Sequence, residues 1–289
     1  MSTRLGKNAV MRIAVVQLAY GDDESFTARV DRVAGLVADQ SGHDLVVLPE
    51  LWGATGFGYG RWSDEAQPLD GPWVTAMADA ARAASVTLHA GSFVERLPAP
   101  GPDGHDLANT SVVIGADGGV LATYRKVHRF GFGAGEPKLM EAGEDVVVVD
   151  LPVRGGAPVR TGLSTCYDLR FPEIYRRQLD GGAELFVVPA AWPAARVGHW
   201  TLLGRARAIE DQCVVVQCNT AGTHAGTAMG GHSQVVAATG EVLAEAPGPG
   251  DDAGADPTRA GQCVLSVEVD LAATRAYREA FPVLADRRL

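Results

Sequence analysis

Cys166 lies between a short apolar strand and a residue suited to the first turn of a helix, Pro172. The run 162–173 therefore predicts a strand-to-helix elbow that presents the cysteine side chain at the end of a sheet. Backbone N–H groups and the positive end of the helix are expected to lower the pKa of the thiol and to hold an oxyanion. A single cysteine is more often a small buried hydrophobic residue than a nucleophile, so two other stretches decide how it is interpreted.

Two charged residues elsewhere in the chain stand where an active site could use them. Glu50 follows the apolar run 44–48, and a carboxylate partly withdrawn from water suits a general base. The alternative is a surface glutamate that pairs with an arginine. Lys126 lies in the aromatic stretch 124–130 and is one of only three lysines among 25 basic residues. It is either a compact ammonium with a specific role or a solvated charge. Glu136 follows in a segment predicted to be irregular and able to fold back over a site.

The composition narrows the class of protein. The chain has 289 residues, 46% hydrophobic and 21% charged, as expected for a globular protein with a large core. A net charge of -10 without a basic stripe argues against a nucleic-acid partner. No apolar run approaches the roughly 20 residues that span a bilayer, and no secretory signal is evident. The four cysteines lack CxxC spacing and the histidines form no HExxH motif. We expect a reduced, cytoplasmic protein without a metal or another cofactor.

Strand and helix patterns alternate along the chain, and these elements must position the residues above. Apolar runs predict strands at 12–18, 44–48, 87–93, 145–150, 159–164, 185–188, 214–218 and 263–270. Turn residues predict hairpins that pair 109–114 with 120–125 and 234–237 with 242–246. Helices are predicted after a cap at Asp22 or Asp23, over 72–84, after Pro172 and over 200–211. The runs 44–49 and 184–189 resemble each other. Either the two halves of the chain are pseudo-symmetric, or the similarity is a coincidence.

This alternation predicts an α/β fold with a mixed sheet in layers. No linker divides the chain, so we expect one domain over 11–270. It is flanked by an N-terminal arm over 1–10 and a polar C-terminal tail over 271–289.

Taken together, the three motifs resemble those of the nitrilase, or carbon–nitrogen hydrolase, superfamily. Its signature is a Glu after an apolar strand, a Lys in Tyr-Arg-Lys-x-His-x-Phe and a Cys before Tyr-Asp-x-Arg-Phe-Pro-Glu. All three occur here in that order, and the resemblance extends from about residue 11 to 270. It implies a four-layer α-β-β-α sandwich with mixed sheets, in which Glu50, Lys126 and Cys166 converge on one pocket as a catalytic triad.

The resemblance also implies a second catalytic glutamate after the lysine, seven residues before a glycine. Glu136 keeps that spacing to Gly143, whereas Glu141 does not. The stretch 129–132 departs from the Leu-Phe-Asp that many relatives carry, so the shape of this part of the pocket wall is open.

The implied activity is hydrolysis of a non-peptide C–N bond, with release of ammonia. Cys166 would attack an amide carbonyl carbon while Glu50 accepts the thiol proton, and a thioester would form and then be hydrolysed. Lys126 and the backbone N–H of Tyr167 would hold the oxyanion. Glu136 would orient Lys126 or the substrate nitrogen.

The residues after the nucleophile favour amides as substrates. Tyr167 and Asp168 stand where nitrile-hydrolysing members usually carry Trp-Glu, and 199–208 is similar to the ω-amidase-like group, which cleaves terminal amides of small carboxylic acids. Arg170 is a candidate for gripping a substrate carboxylate, or an ion-pair partner of Asp168 or Glu173. His199 would cap a helix or line the edge of the pocket. The predicted apolar walls are Trp52, Tyr59, Phe132 and Trp192.

Other functions remain open from the sequence. N-carbamoyl compounds rank second as substrates and nitriles third. Outside this chemistry, the alternatives are a thiol–redox protein, a catalytically silent scaffold that binds partners, and, last, a metal hydrolase.

The resemblance further implies a homodimer that pairs two sandwiches across helices. The helix after Pro172 and the helix over 200–211 are the predicted interface, and the C-terminal tail would cross to the partner. Leu202, Leu203 and Ile209 lie on one predicted helix face, which would equally suit burial under the monomer's own sheet.

Overall fold

The computed structural model describes residues 10–251 and 259–288. The predicted N-terminal arm lies outside these residues except for Val10, which begins the first strand. The strands are β1 (Val10–Tyr20), β2 (Leu45–Val47), β3 (Thr87–Arg96), β4 (Leu107–Ile114), β5 (Val120–Arg125), β6 (Val148–Leu151), β7 (Val159–Leu163), β8 (Leu185–Pro189), β9 (Val214–Cys218), β10 (Thr220–His224), β11 (Thr227–Ala228), β12 (Gln234–Val236), β13 (Val242–Glu245) and β14 (Cys263–Asp270). The helices are α1 (Phe26–Ala38), α2 (Trp62–Glu65), α3 (Pro72–Ala84), α4 (Glu136–Leu139), α5 (Pro172–Asp180), α6 (Val197–Asp211) and α7 (Leu271–Ala280). None of these helices is long and apolar enough to cross a membrane.

The strands form two mixed sheets. The first has the order β11-β10-β1-β2-β3-β4-β5, with β14 also paired to β1, and the second has the order β13-β12-β9-β8-β7-β6. Strands β1, β2 and β3 are parallel, as are β7, β8 and β9, whereas the hairpin strands pair antiparallel. The predicted α/β fold with mixed sheets is confirmed.

Both faces of the central strands are buried, which builds four layers. In β1, Ala14 and Val16 pack with the core beneath helices α1 and α3. The alternate residues Ile13 and Val15 pack in a second core that reaches the strands of the other sheet and Trp200 of α6. The layers therefore run from α1 and α3 through the first and second sheets to α5 and α6.

Strands β2 and β8 occupy central positions in separate sheets, and each is followed or ended by a proline. The chain after one strand meets the chain after the other, because the backbone N–H of Glu50 lies 3.4 Å from the carbonyl oxygen of Ala190. The two similar runs of sequence thus end at one place, where the sheets meet.

Two predicted elements differ from the structure. Helix α1 is capped by Ser25, whose hydroxyl accepts a hydrogen bond from the N–H of Ala28, and not by the two aspartates before it. The predicted C-terminal tail begins with a real helix, α7, which Asp270 caps. Arg278 of α7 donates hydrogen bonds to the carbonyl oxygens of Ala183 and Gln212, so this helix packs on its own chain. Crossing of the remaining C-terminal residues to a partner stays a prediction.

Candidate active site

Cys166 lies at the sharp bend after β7, in a single turn of 3-10 helix that spans Cys166–Arg170. Its φ of 49° is in the left-handed region, which residues with a Cβ atom adopt at a cost. A reciprocal pair of hydrogen bonds between Thr165 and Asp168 fixes this turn. The elbow agrees with the sequence prediction, and helix α5 begins at Pro172 as predicted. The positive end of that helix therefore does not start at the thiol.

The thiol is buried, with 8% of the residue exposed. Burial raises the pKa of the Cys166 thiol well above its ordinary value, and the carboxylate of Glu50 adds to the increase, against the opposing charge of Lys126. The expectation that the elbow lowers this pKa is therefore wrong. At neutral pH the resting thiol carries its proton, so nucleophilic attack requires a base.

Glu50 follows β2 and bridges the two sheets. Its Oε2 accepts a hydrogen bond of 2.8 Å from the backbone N–H of Ala191, which follows β8 of the other sheet. Its Oε1 accepts 2.8 Å hydrogen bonds from Lys126 Nζ and from Asn109 Nδ2. The residue is 3% exposed, so it is not the surface glutamate of the alternative interpretation.

Lys126 follows β5 and is buried between two carboxylates. Its Nζ donates to Glu50 Oε1 at 2.8 Å, to Glu136 Oε2 at 2.8 Å and to Glu136 Oε1 at 3.1 Å. Burial alone opposes its charge, but the carboxylates of Glu136 and Glu50 outweigh burial and raise the pKa of Lys126 well above its ordinary value. The side chain is therefore a buried ammonium and not a solvated surface charge.

Glu136 begins helix α4 and completes the charged group. Its Oε2 also accepts a short hydrogen bond from the backbone N–H of Phe130, which folds the intervening loop back over Lys126. Burial raises the pKa of Glu136, with Lys126 opposing the increase. Glu141 lies elsewhere, where it accepts hydrogen bonds from the backbone N–H groups of Asp103 and His105. The structure thus places Glu136, and not Glu141, against the lysine.

Asn109 of β4 is a member of this group that the sequence reasoning missed. Its amide nitrogen donates to Glu50 Oε1 at 2.8 Å and to Glu136 Oε1 at 2.6 Å. The signal available in the sequence was a polar residue inside an apolar strand, since a buried polar side chain needs partners.

Asp168 ties the lysine stretch to the cysteine elbow. Its carboxylate accepts hydrogen bonds from the Tyr124 hydroxyl at 2.7 Å, from the backbone N–H and Nδ1 of His128 at 2.9 and 2.8 Å, and from the backbone N–H of Thr165 at 2.8 Å. Tyr124 and His128 flank Lys126, and Thr165 precedes Cys166. One fully buried carboxylate therefore holds the two motifs together.

Two adjoining spaces open above Cys166, and both are bordered by Phe57, Phe130 and Ala191. We call the first the inner recess, lined also by Glu50, Leu51, Gly56, Tyr59, Trp62, Lys126 and Glu136. We call the second the mouth, lined also by Tyr167, Arg170, Trp192, Pro193 and Arg196.

Of the predicted pocket residues, the structure brings Tyr59 to the inner recess and Tyr167, Arg170 and Trp192 to the mouth. The loop that carries Tyr59 also contributes Phe57 to the pocket.

The prediction that Trp52 and Phe132 form apolar walls of the pocket is wrong. Trp52 is fully buried in the core beneath α1 and α3, where its indole N–H donates to the carbonyl oxygen of Ala90 at 2.9 Å. Phe132 is 83% exposed and only its neighbour Phe130 lines the pocket.

Arg170 does not form the predicted alternative ion pairs with Asp168 or Glu173. Its guanidinium lies 4.6 Å from the ring centroid of Trp192 and 3.3 Å from His199 Nδ1. His199 therefore contacts a residue of the mouth without lining it. Arg196, which lines the mouth, was missed because nothing in a loop sequence marks which side chain turns inward.

No group of three or more His, Cys, Asp or Glu side chains within 10–251 and 259–288 is arranged to hold a metal ion.

Known proteins resemble this chain over most of its length. The carbon–nitrogen hydrolase family model matches residues 12–279. The chain is 42% identical over 276 residues to the 2-oxoglutaramate amidase of Paenarthrobacter nicotinovorans, which covers 96% of this chain and 89% of that protein.

Two solved structures have the same fold. A CN-hydrolase superfamily protein from Xanthomonas campestris, with an arsenic adduct in its active site, superposes with a TM-score of 0.82 at 27% identity, over 97% of this chain and 98% of that chain. A mutant amidase from Nesterenkonia sp. AN1 superposes with a TM-score of 0.74 at 25% identity, over 96% of this chain and 97% of that chain. In the latter, the acetamide moiety of fluoroacetamide is added covalently at the active-site cysteine. The chain belongs to the carbon–nitrogen hydrolase family, in the nitrilase superfamily.

Proposed function

We propose that this protein is an amidase that hydrolyses the terminal amide of a small linear acid, with 2-oxoglutaramate as the leading candidate, through a thioester on Cys166. The relative from Paenarthrobacter nicotinovorans supports the substrate class by its name, 2-oxoglutaramate amidase. The observation that carries the chemistry is the buried Lys126 ammonium, which is held between Glu50 and Glu136 beside the thiol.

In the proposed first step, Glu50 accepts the proton of the thiol as Cys166 Sγ attacks the amide carbonyl carbon. A base is needed because burial raises the pKa of this thiol. Lys126 and the backbone N–H of Tyr167 stabilise the negative charge that develops on the carbonyl oxygen. Because burial excludes water, one fixed ammonium contributes more there than it would at a surface.

The tetrahedral intermediate then collapses to a thioester. Glu50 returns its proton to the nitrogen, the C–N bond breaks and ammonia leaves. A water molecule, deprotonated by Glu50, attacks the thioester and releases the carboxylic acid and the free thiol. While Glu50 holds a proton, Glu136 still faces Lys126 with a carboxylate and so preserves its charge.

The mouth supplies recognition in this proposal. Arg170 and Arg196 make no ion pair with a carboxylate in the part of the chain that the structure describes, although the protein as a whole is acidic. Stacking on Trp192 holds the guanidinium of Arg170 in place. A substrate carboxylate would supply the missing counter-charge to both guanidinium groups, since these groups bind carboxylates through paired hydrogen bonds.

We also propose that the enzyme acts as a cytoplasmic homodimer. Thiols rather than disulfides at Cys166, Cys213 and Cys218 fit a reducing compartment. Leu202 and Ile209 of α6 are 65% and 51% exposed, which fits the predicted interface, while Leu203 packs on the chain's own core. Light scattering tests the assembly, because a monomer at micromolar concentration would contradict it.

Ammonia release from matched substrates tests the activity. The purified protein should release ammonia from 2-oxoglutaramate faster than from an N-carbamoyl amino acid, and nitriles should react most slowly. Cys166→Ala should abolish release without unfolding the chain. Cys213→Ala is the matched control, because Cys213 is also a buried thiol but lies in the core near Ala183.

Near-wild-type release by Cys166→Ala would contradict the thioester mechanism. Faster turnover of a nitrile than of its matching amide would contradict only the substrate class.

A further inference from the structure

Asn109 is a buried amide in the middle of the charged group. It lies on β4, next to the strand that leads to Lys126, and its carbonyl oxygen accepts a hydrogen bond of 2.9 Å from the backbone N–H of Lys126. The residue is 3% exposed. Its backbone thus fixes the start of the lysine segment, while its side chain reaches the two glutamates.

The orientation of the amide follows from its partners. Both groups that it contacts, Glu50 Oε1 and Glu136 Oε1, are carboxylate oxygens, which accept hydrogen bonds. The nitrogen must therefore face them, and each of its two hydrogens points to a different glutamate. The amide oxygen is buried without a hydrogen-bond partner among the described residues. A buried carbonyl group without a partner is costly, so the gain must come from the two donated hydrogen bonds.

The charges explain why a neutral donor is needed at this point. Two carboxylates share one ammonium, so Lys126 alone cannot balance both. A hydrogen bond from an amide favours the ionised form of a carboxylate without adding a charge. A second cation would balance the pair fully, but it would compete with Lys126 for the substrate carbonyl oxygen.

We propose that Asn109 is a positioning residue that holds Glu50 and Glu136 ionised on either side of Lys126, so that Glu50 is ready to accept the thiol proton. This inference rests on the proposed amidase function and adds to it the residue that sets the protonation state of the glutamate pair.

The acid limb of the pH–activity profile should then report the glutamate pair as a unit. The other titratable groups near the pair are Cys166, Tyr59 and Tyr20. Burial raises the pKa of each of them, so all three stay protonated where a carboxylate titrates. Lys126 stays charged there because its pKa is raised as well.

Asn109→Leu keeps the approximate volume and removes both donors. We expect kcat to fall about 10- to 100-fold, the range for lost hydrogen bonds to charged groups. We also expect the acid limb of kcat/KM to move to higher pH, because the pair then protonates more readily. Thr110→Val is the matched control. Thr110 is the next residue of β4, is also buried and donates to a different carboxylate, Glu95 Oε2, at 2.6 Å. Its loss should leave the acid limb in place.

Asn109→Asp is a second test, in which the alkaline limb of the pH–activity profile is expected to move instead of the acid limb. The introduced carboxyl can donate one hydrogen bond while protonated, but it repels both glutamates once it ionises. Activity should therefore fall as the pH rises, and the alkaline limb should move to lower pH. If Asn109→Leu does not fold, this shift of the alkaline limb decides the question alone.

The inference would be overturned if the acid limb of Asn109→Leu stayed at the wild-type position. An unchanged alkaline limb of Asn109→Asp would overturn it as well. Failure of the proposed function looks different, because the wild type would then release no ammonia or Cys166→Ala would remain active.

Discussion

The inner recess and the mouth of the same pocket differ in how their charges are partnered. In the recess, Lys126 contacts two carboxylates at 2.8 Å, and the same carboxylates also accept hydrogen bonds from Asn109 and from backbone N–H groups. In the mouth, Arg170 and Arg196 face the pocket without a carboxylate from the described part of the chain.

The difference separates two tasks. Charged groups that are already held in place by partners need no reorganisation at the moment of reaction, which suits catalysis. Cations without a counter-charge gain most from an anionic ligand, which suits recognition. In the proposed mechanism the recess therefore performs the chemistry on any amide that reaches it, and the mouth selects the amide that carries an acid. The predictions below perturb one region at a time.

The largest effect is expected from Lys126→Met in the recess. Activity should fall about 10²- to 10³-fold, as for the loss of one group that stabilises an oxyanion. The change also leaves two buried carboxylates without their cation, which costs about 3–5 kcal/mol of the free energy of unfolding. Lys138→Met is the control, since Lys138 is exposed on the same short helix as Glu136.

The stability loss should depend on pH. The pKa of Glu136 is already raised by burial and would rise further without Lys126, which opposes that increase. A group whose pKa is raised in the folded state stabilises the fold at low pH, and this contribution is lost as the pH rises through the folded value. Denaturation in urea should therefore show a smaller deficit for Lys126→Met at acid pH than at neutral pH. An equal deficit at both would contradict the account of this buried group.

A smaller effect is expected from Asp168→Asn, which loosens the link between the two motifs without removing a reacting group. The amide offers one accepting oxygen to four donors and turns a nitrogen towards some of them. We expect kcat to fall roughly 10- to 100-fold through misplacement of Lys126 relative to Cys166.

Asp180→Asn provides the comparison for that experiment, because Asp180 is exposed and, among the residues that the structure describes, forms an ion pair only with Arg287. Wild-type kcat in Asp168→Asn would show that the link does not position the catalytic groups.

The sequence was sufficient to identify the site residues that lie at the ends of regular elements. Glu50, Lys126 and Cys166 each follow a strand, and strands are predictable from apolar runs. Their convergence on one pocket was implied by the family resemblance, since the strands belong to two different sheets. The pKa of Cys166 was mispredicted because the elbow was judged from backbone dipoles, whereas burial beside Glu50 dominates.

Positions inside irregular segments were not predictable. Trp52 was assigned to the pocket wall, but Leu51 before it has a φ of 45°, and the indole of Trp52 is buried in the core. Phe130 and Phe132 differ in the same way, since a loop has no period that tells which ring faces inward. Asn109 could be placed on a strand, but the face that it presents depends on which strand pairs beside it.

The division between recess and mouth is tested most directly with two amides of equal length, one ending in a carboxylate and one neutral. The double variant Arg170→Met and Arg196→Met keeps long side chains and removes both charges. For the acid-bearing amide, kcat/KM should fall about 10-fold for each guanidinium removed, the size of a lost hydrogen bond between charged groups. For the neutral amide it should stay near the wild-type value, whereas Lys126→Met should reduce both alike. An equal loss for both amides in the double variant, or no loss for either, would contradict the division.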